Sequence, residues 1–236
     1  MSVPALKALR VDVSGYFDPG WGFRRKFRRA LAKPEIWVIC AFRIGSWIHR
    51  ECPVVLRPFF KFFWKPWYTF VSTLYDTHLS PYGEIGPGLH FSHAGGIWVN
   101  SMARLGAHCH LGQGSVIGSA GAGALTSGAP VLGDRVWVGP HAVITGNVTV
   151  GSGAVIGANS LVVSSVPENG NVVGVPARLI ARFGSGRLIR VTGDAAATDL
   201  QDSEPLVYTR SDAERAEDRR GPPRLSRGED ARTNVS

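Results

Sequence analysis

The feature that most constrains this chain is a period of six residues across its centre. Written in sixes, the chain from Leu105 reads LGAHCH and LGQGSV, then Ile117-Gly118 and a loop to Pro130. It resumes at Leu132 as LGDRVW, VGPHAV, ITGNVT, VGSGAV, IGANSL and VVSSVP. Every hexad opens on an aliphatic residue, and glycine usually follows. The fifth residue is Cys109, Ser115, Val136, Ala142, Val148, Ala154, Ser160 or Val166, each small or β-branched. Such a period suits a three-sided coil of very short strands, three hexads to the turn. The aliphatic residue fills the prism, glycine relaxes the corner, and the small residue fits where the chain turns. The expected fold is mainly β, a parallel β-helix with an α-helical amino-terminal segment.

Charge divides the 236 residues into three regions: 1–78 as a basic, aromatic helical segment, 79–183 as the β-helix, and 184–236 as a tail. The formal net charge of +8 comes from the first region, with 13 basic and 5 acidic groups, whereas 79–183 holds 4 and 3 and 184–236 holds 9 and 10. A nucleic-acid groove across the centre is excluded, because it needs a spread of cations facing the phosphates. The tail lacks Trp and Phe and is expected to be disordered. Cys40, Cys52 and Cys109 lack C-x-x-C spacing, which excludes a disulfide framework or a zinc site and fits a reducing compartment. The first twenty residues show no signal-peptide pattern, and the apolar run Ile36 to Ile48 is interrupted by Arg43 and too short to span a bilayer. A cytoplasmic protein is expected.

The first region holds five of the seven tryptophans and the basic cluster Arg24, Arg25, Lys26, Arg28, Arg29 and Lys33. Over 57–70, Arg57, Lys61 and Lys65 share one helical face and Phe59, Phe62, Phe63 and Phe70 lie opposite. Two readings stand: helices packed on the prism and on neighbouring subunits, or peripheral membrane contact through 57–75 at the inner face. Pro58 and Pro66 weigh against an unbroken helix in either.

The segment GEIGPGLHFSHAGGIWVN, Gly83 to Asn100, begins like a coil and then leaves strict sixes. Its Ile85, Gly86, Gly88, Leu89, His93, Gly96, Ile97 and Val99, with IGANSLVV from Ile156 and VVGVPARLI from Val172, resemble one known branch. That branch is the serine O-acetyltransferases of the hexapeptide-repeat acyltransferases, which are left-handed parallel β-helices. The resemblance implies an acetyl-CoA-dependent O-acetyltransferase, homotrimeric, with active sites between neighbouring subunits and no metal. It implies that His93 is the general base, since an imidazole can take the proton of an attacking hydroxyl near neutral pH. His78 stands fifteen residues earlier, where the family carries an aspartate that orients the imidazole, so Asp76 or Glu84 is left to supply a carboxylate. Ser119 and Ala158 match positions that line the pantetheine arm, and Arg178 or Arg182 is placed to meet the 3′-phosphate.

The remaining histidines of this region, His90, His108, His110 and His141, are expected at the surface. No Ser or Cys is evidently paired with a base, which implies direct transfer in a ternary complex. Gly128, Ala129 and Pro130 stand where the family has Arg-His-Pro, so both cations that help hold an amino acid are missing. A neutral hydroxyl compound, sugar or glycan is therefore expected as acceptor ahead of free serine. The alternatives are a genuine serine acetyltransferase and a non-catalytic β-helix scaffold.

Overall fold

A computed structural model of the chain describes residues 3–18, 20–120, 128–186 and 188–189. Four helices come first: α1 (Ala5–Ser14), α2 (Phe23–Ala32), α3 (Pro34–Arg50) and, after a 3-10 turn at Val54–Leu56, α4 (Arg57–Leu74). α3 starts on Pro34 with Glu35 in its first turn and ends on Arg50, charges that suit the two ends of the helix dipole. α4 runs unbroken through Pro66, so the interruption expected from that residue does not occur. It packs on α3, where Trp64 Nε1 donates to the Ala41 carbonyl, while Phe59, Phe62, Phe63 and Phe70 stay exposed.

The coils follow the hexads. β1 (Thr77–Leu79), β2 (Glu84–Ile85) and β3 (His90–Phe91) form the first; β4 (Ile97–Val99), β5 (Arg104–Leu105) and β6 (His110–Leu111) the second. β7 (Val116–Gly118), β8 (Val131–Leu132) and β9 (Trp137–Val138) form the third, and β10 (Val143–Thr145), β11 (Thr149–Val150) and β12 (Val155–Ile156) the fourth. A partial fifth holds β13 (Leu161–Val162), a bridge at Val166 and β14 (Asn171–Val173), after which β15 (Arg178–Ala181) turns back antiparallel. Parallel pairing stacks these into three faces: β1-β4-β7-β10-β13 is the first, β2-β5-β8-β11 the second and β3-β6-β9-β12-β14 the third. The arrangement fits the left-handed parallel β-helix.

The hexad aliphatics Leu105, Leu111, Ile117, Leu132, Val138, Ile144, Val150, Ile156 and Val162 fill the prism, and the small fifth residues are buried beside them. Each such aliphatic contributes about 1.5–3 kcal/mol by leaving water. Residues of α3 such as Ile39 and Phe42 join the same core, so helices and coils form one compact unit. The boundary drawn at 78/79 from composition therefore falls inside β1 and separates no independent domain.

Side chains from the helices cap the open edge of the first coil. Arg43, 3% exposed, pairs with Asp12, 1% exposed, at 2.7 Å and donates to the carbonyls of Ile85 and Gly86. Asp12 accepts from the backbone N–H groups of Gly88 and Leu89. Tyr16 accepts from the N–H of Phe91 and donates to its carbonyl. Arg50 serves the carbonyls of Tyr82 and Gly83, and Tyr68 that of Leu79. Removing one member of the Asp12–Arg43 pair would strand a buried charge, at a cost of about 3–5 kcal/mol.

At the opposite end, Ser185 is buried and its N–H donates to the carbonyl of Gly153. The chain thus stays docked through Gly184 and Ser185, beyond the point where the tail was expected to begin. The disorder expected for the rest of the tail concerns 190–236, which lie outside the described residues.

Candidate active site

Between β3 and β4 the chain rounds the corner from third face to first through Ser92, His93, Ala94, Gly95 and Gly96. Gly95 and Gly96 take φ of +134° and +65°, a region that disfavours residues with a Cβ. The corner is pinned by Gly95 N–H donating to Thr77 Oγ1 at 3.1 Å. Gly96 also lies against Gly114 of the next coil, where a Cβ would stand 3.1 Å from the Gly114 Cα. On this pinned corner His93 is exposed and, among the described residues, makes no hydrogen bond, ion pair or ring contact. Its imidazole is free to engage a substrate.

Asp76 and His78 flank Thr77 at the start of the first face. Their closest atoms, Asp76 Oδ1 and His78 Nε2, are 3.7 Å apart, and the His78 ring tilts against Trp98 with centroids 4.0 Å apart. The Asp76 carboxylate reaches toward Gly96, where a Cβ would stand 3.9 Å from Oδ2, yet neither Asp76 nor His78 bonds His93. Glu84 lies on the second face, paired with Arg104 at 3.3 Å, and so is spent elsewhere.

The surface placement expected for His90 and His110 is wrong. Both are half-buried on the third face, in register with each other and with Trp137. Tyr16, His90, His110 and Trp137 stack in order, with centroid separations of 4.4, 5.0 and 6.0 Å. His110 Nδ1 lies 3.1 Å from His90 Nδ1, and its Nε2 lies 2.8 Å from Ser92 Oγ. A serine is thus paired with an imidazole after all. Burial, then the neighbouring His90, pushes the His110 proton affinity down to about 4, and burial also lowers that of His90. At neutral pH His110 is an uncharged, weak base. His108 and His141 occupy corner turns with positive φ, their rings seated against Gly88 and Gly114; His141 is exposed as expected and His108 only partly so.

Ala158 sits exposed on the same corner as His93, three coils further along, or roughly 14 Å at the usual strand spacing. This edge is built of small residues in close contact: a Cβ on Gly139 would stand 2.6 Å from the Ala158 nitrogen. Ser119 lies across the first face, on its other corner, accepting from Asn100 Nδ2 at 3.2 Å. Arg178 is exposed on β15 at the far end, where it borders with Arg182, Ser164 and Ser165 a cavity of about 580 Å³. The structure therefore groups His93 with Ala158 along one edge and leaves Ser119 and Arg178 apart from it within a single chain. Among the described residues, no three His, Cys, Asp or Glu side chains converge to hold a metal ion. Most of the loop from Ser119 to Pro130 lies outside the described residues.

Residues 129–164 match the bacterial transferase hexapeptide family (six repeats). The serine acetyltransferase of Synechococcus elongatus is 28% identical over 75% of this chain and 70% of its own, and that of Salmonella typhimurium 34% over 62% and 51%. A Brucella abortus serine acetyltransferase solved with coenzyme A superposes with a TM-score of 0.62 at 28% identity, over 76% of this chain and 68% of its own. The chain is similar to the serine acetyltransferases of the hexapeptide-repeat transferases. It spans about half the length of the Salmonella relative.

Proposed function

We propose that the protein is an O-acetyltransferase that moves the acetyl group of acetyl-CoA directly onto a hydroxyl, with His93 as general base. The observation that carries this reading is that His93 is unengaged, whereas His78, His90 and His110 are each stacked or hydrogen-bonded. In the step proposed, the imidazole takes the hydroxyl proton as oxygen attacks the thioester carbonyl. The carbon–sulfur bond then breaks, and the proton passes to the departing thiolate. A positioned base of this kind contributes about 10²–10⁴ in rate.

Asp76 and His78, on either side of the Thr77 that pins the corner, act as positioning residues. Ala158 and Ser119 line the pantetheine arm, with Ser119 serving a site shared with a neighbouring copy, and Arg178 meets the 3′-phosphate as a charge-assisted partner. Ser92 is not an acyl carrier in this reading, because a His110 held neutral down to about pH 4 is a poor acceptor for a serine proton. The partners are acyl-CoA, the acceptor and two further copies of the chain.

The acceptor favoured by the relatives is serine, since those compared above are serine acetyltransferases. This moves the preference away from the sugar or glycan read from the sequence. One observation keeps the neutral acceptor as a second reading: Gly128 and Ala129 offer no cation for a carboxylate. Thiol release from acetyl-CoA with L-serine, and with a panel of neutral alcohols and sugars, decides between them. Turnover with serine is expected. Turnover with sugars alone would transfer the assignment to the second reading, and no turnover with no CoA binding by calorimetry would leave a scaffold.

A further inference from the structure

α2 lends only Ala30 to the margin of the core and nothing to the candidate site. None of its ten residues is buried. Phe23, Phe27 and Leu31 recur every four residues on one side, 82%, 55% and 53% exposed. The rest of the helix is cationic, with Arg24, Arg25, Lys26, Arg28 and Arg29, and no acidic residue stands between Asp18 and Glu35. Arg25 and Arg29 lie over the Trp21 ring at 4.2 and 5.5 Å, which extends the aromatic and basic surface back before the helix. A surface helix of a globular protein normally turns its apolar stripe into its own core. Here the stripe points outward. The stretch 54–74 repeats the chemistry: Val54, Val55, Phe59, Phe62 and Phe63 are exposed among Arg57, Lys61 and Lys65, again without an acidic residue.

We propose that α2, with the exposed aromatics of α4 as a secondary contact, docks the protein on an anionic lipid surface. Phe23, Phe27 and Leu31 enter the headgroup boundary, and the flanking guanidinium groups meet lipid phosphates. Charge complementarity selects lipid over the coiled surface of a second copy. The coiled region 79–183 has only Glu84, Asp134 and Glu168 to offer five cations on α2 and Lys33 beside it. Of these acids, Glu84 already pairs with Arg104, and Asp134 accepts from the backbone of Ala107. A bilayer rich in anionic headgroups supplies both the negative charge and the apolar boundary that the two sides of α2 require. No helix among the described residues is long and apolar enough to cross a membrane, so the contact is one of lying on the surface. This inference is independent of the acyl-transfer reading.

The test is co-sedimentation of the full chain with vesicles of phosphatidylcholine alone and of phosphatidylcholine mixed with phosphatidylglycerol, at low and high salt. Retention by the anionic vesicles alone, reduced at high salt, is expected. Arg24→Glu with Arg28→Glu should lower partitioning by about fivefold per cation removed. Phe23→Ser, Phe27→Ser and Leu31→Ser together should bring retention to background while thermal melt and sedimentation mass stay unchanged, because none of the three is buried. Phe62→Ser with Phe63→Ser should weaken retention less. Equal retention on both vesicle types, or wild-type retention by the α2 triple variant, overturns the proposal. A changed sedimentation mass in that variant also overturns it, by making α2 a contact between protein chains.

Discussion

His93 and the pair His90–His110 lie on adjacent stretches of the same two coils, yet one ring is free and the others are committed to structure. The difference is one of position within the repeat. On a face, each residue has an in-register neighbour about 4.8 Å above and below, so flat side chains stack into a ladder. His90, His110 and Trp137 do this, and Tyr16 closes the ladder from α1. At the corner after β3 the ladder is interrupted between Phe91 and Trp98, and among the described residues nothing engages the His93 ring. Chemistry at a solenoid surface is therefore available where the repeat is broken and consumed where it is kept.

The sharpest way to break this contrast is to exchange the roles by mutation. His93→Ala should lower kcat by about 10² or more. CoA affinity and thermal melt should barely move, as read by steady-state kinetics, calorimetry and scanning fluorimetry. Retained turnover would mean that the free ring is idle, and the base would have to be sought at His78 or Asp76. His110→Ala should do the reverse. Losing two ring contacts and two hydrogen bonds should cost roughly 1–3 kcal/mol in denaturant unfolding, while kcat changes far less than in His93→Ala.

The pH dependence of stability sharpens the contrast further. In the folded chain His110 binds its proton only near pH 4, and His90 is also shifted down, whereas the unfolded chain takes up protons near the ordinary histidine value of ~6.5. Between those values the unfolded state holds more protons, so stability is complete above about pH 6.5 and is lost as pH falls toward 4. Thermal melts across this window should show the decline, and His110→Gln should flatten part of it. The smallest effect is expected for Asp76→Asn. Its carboxylate points toward Gly96 without bonding His93, so kcat should fall only severalfold, with KM for acetyl-CoA unchanged.

Much of this was legible in the hexads. An aliphatic residue at the first position and a small one at the fifth dictate a prism interior directly, and every interior residue expected from that rule is buried. The free corner was legible too, because GLHFSHAGGIWVN departs from sixes. The histidine ladder was missed although its signal was present: His90 and His110 are twenty residues apart and fall at equivalent places in successive coils, so their stacking follows once coil length is known. The Asp12–Arg43 pair left no such trace. Arg43 reads only as a break in an apolar run, and its partner lies 31 residues away on another helix, where no period connects them.

Those capping side chains bear on how copies of this chain can meet. A stack of parallel coils is an open ladder, and an unprotected end invites another chain to continue it into a filament. At one end Asp12, Arg43, Tyr16, Arg50 and Tyr68 occupy the hydrogen-bonding groups that a further coil would need, and at the other β15 reverses direction over β14. Growth along the axis is thereby terminated at both ends. Copies of this protein therefore cannot join by adding coils to either end of the stack.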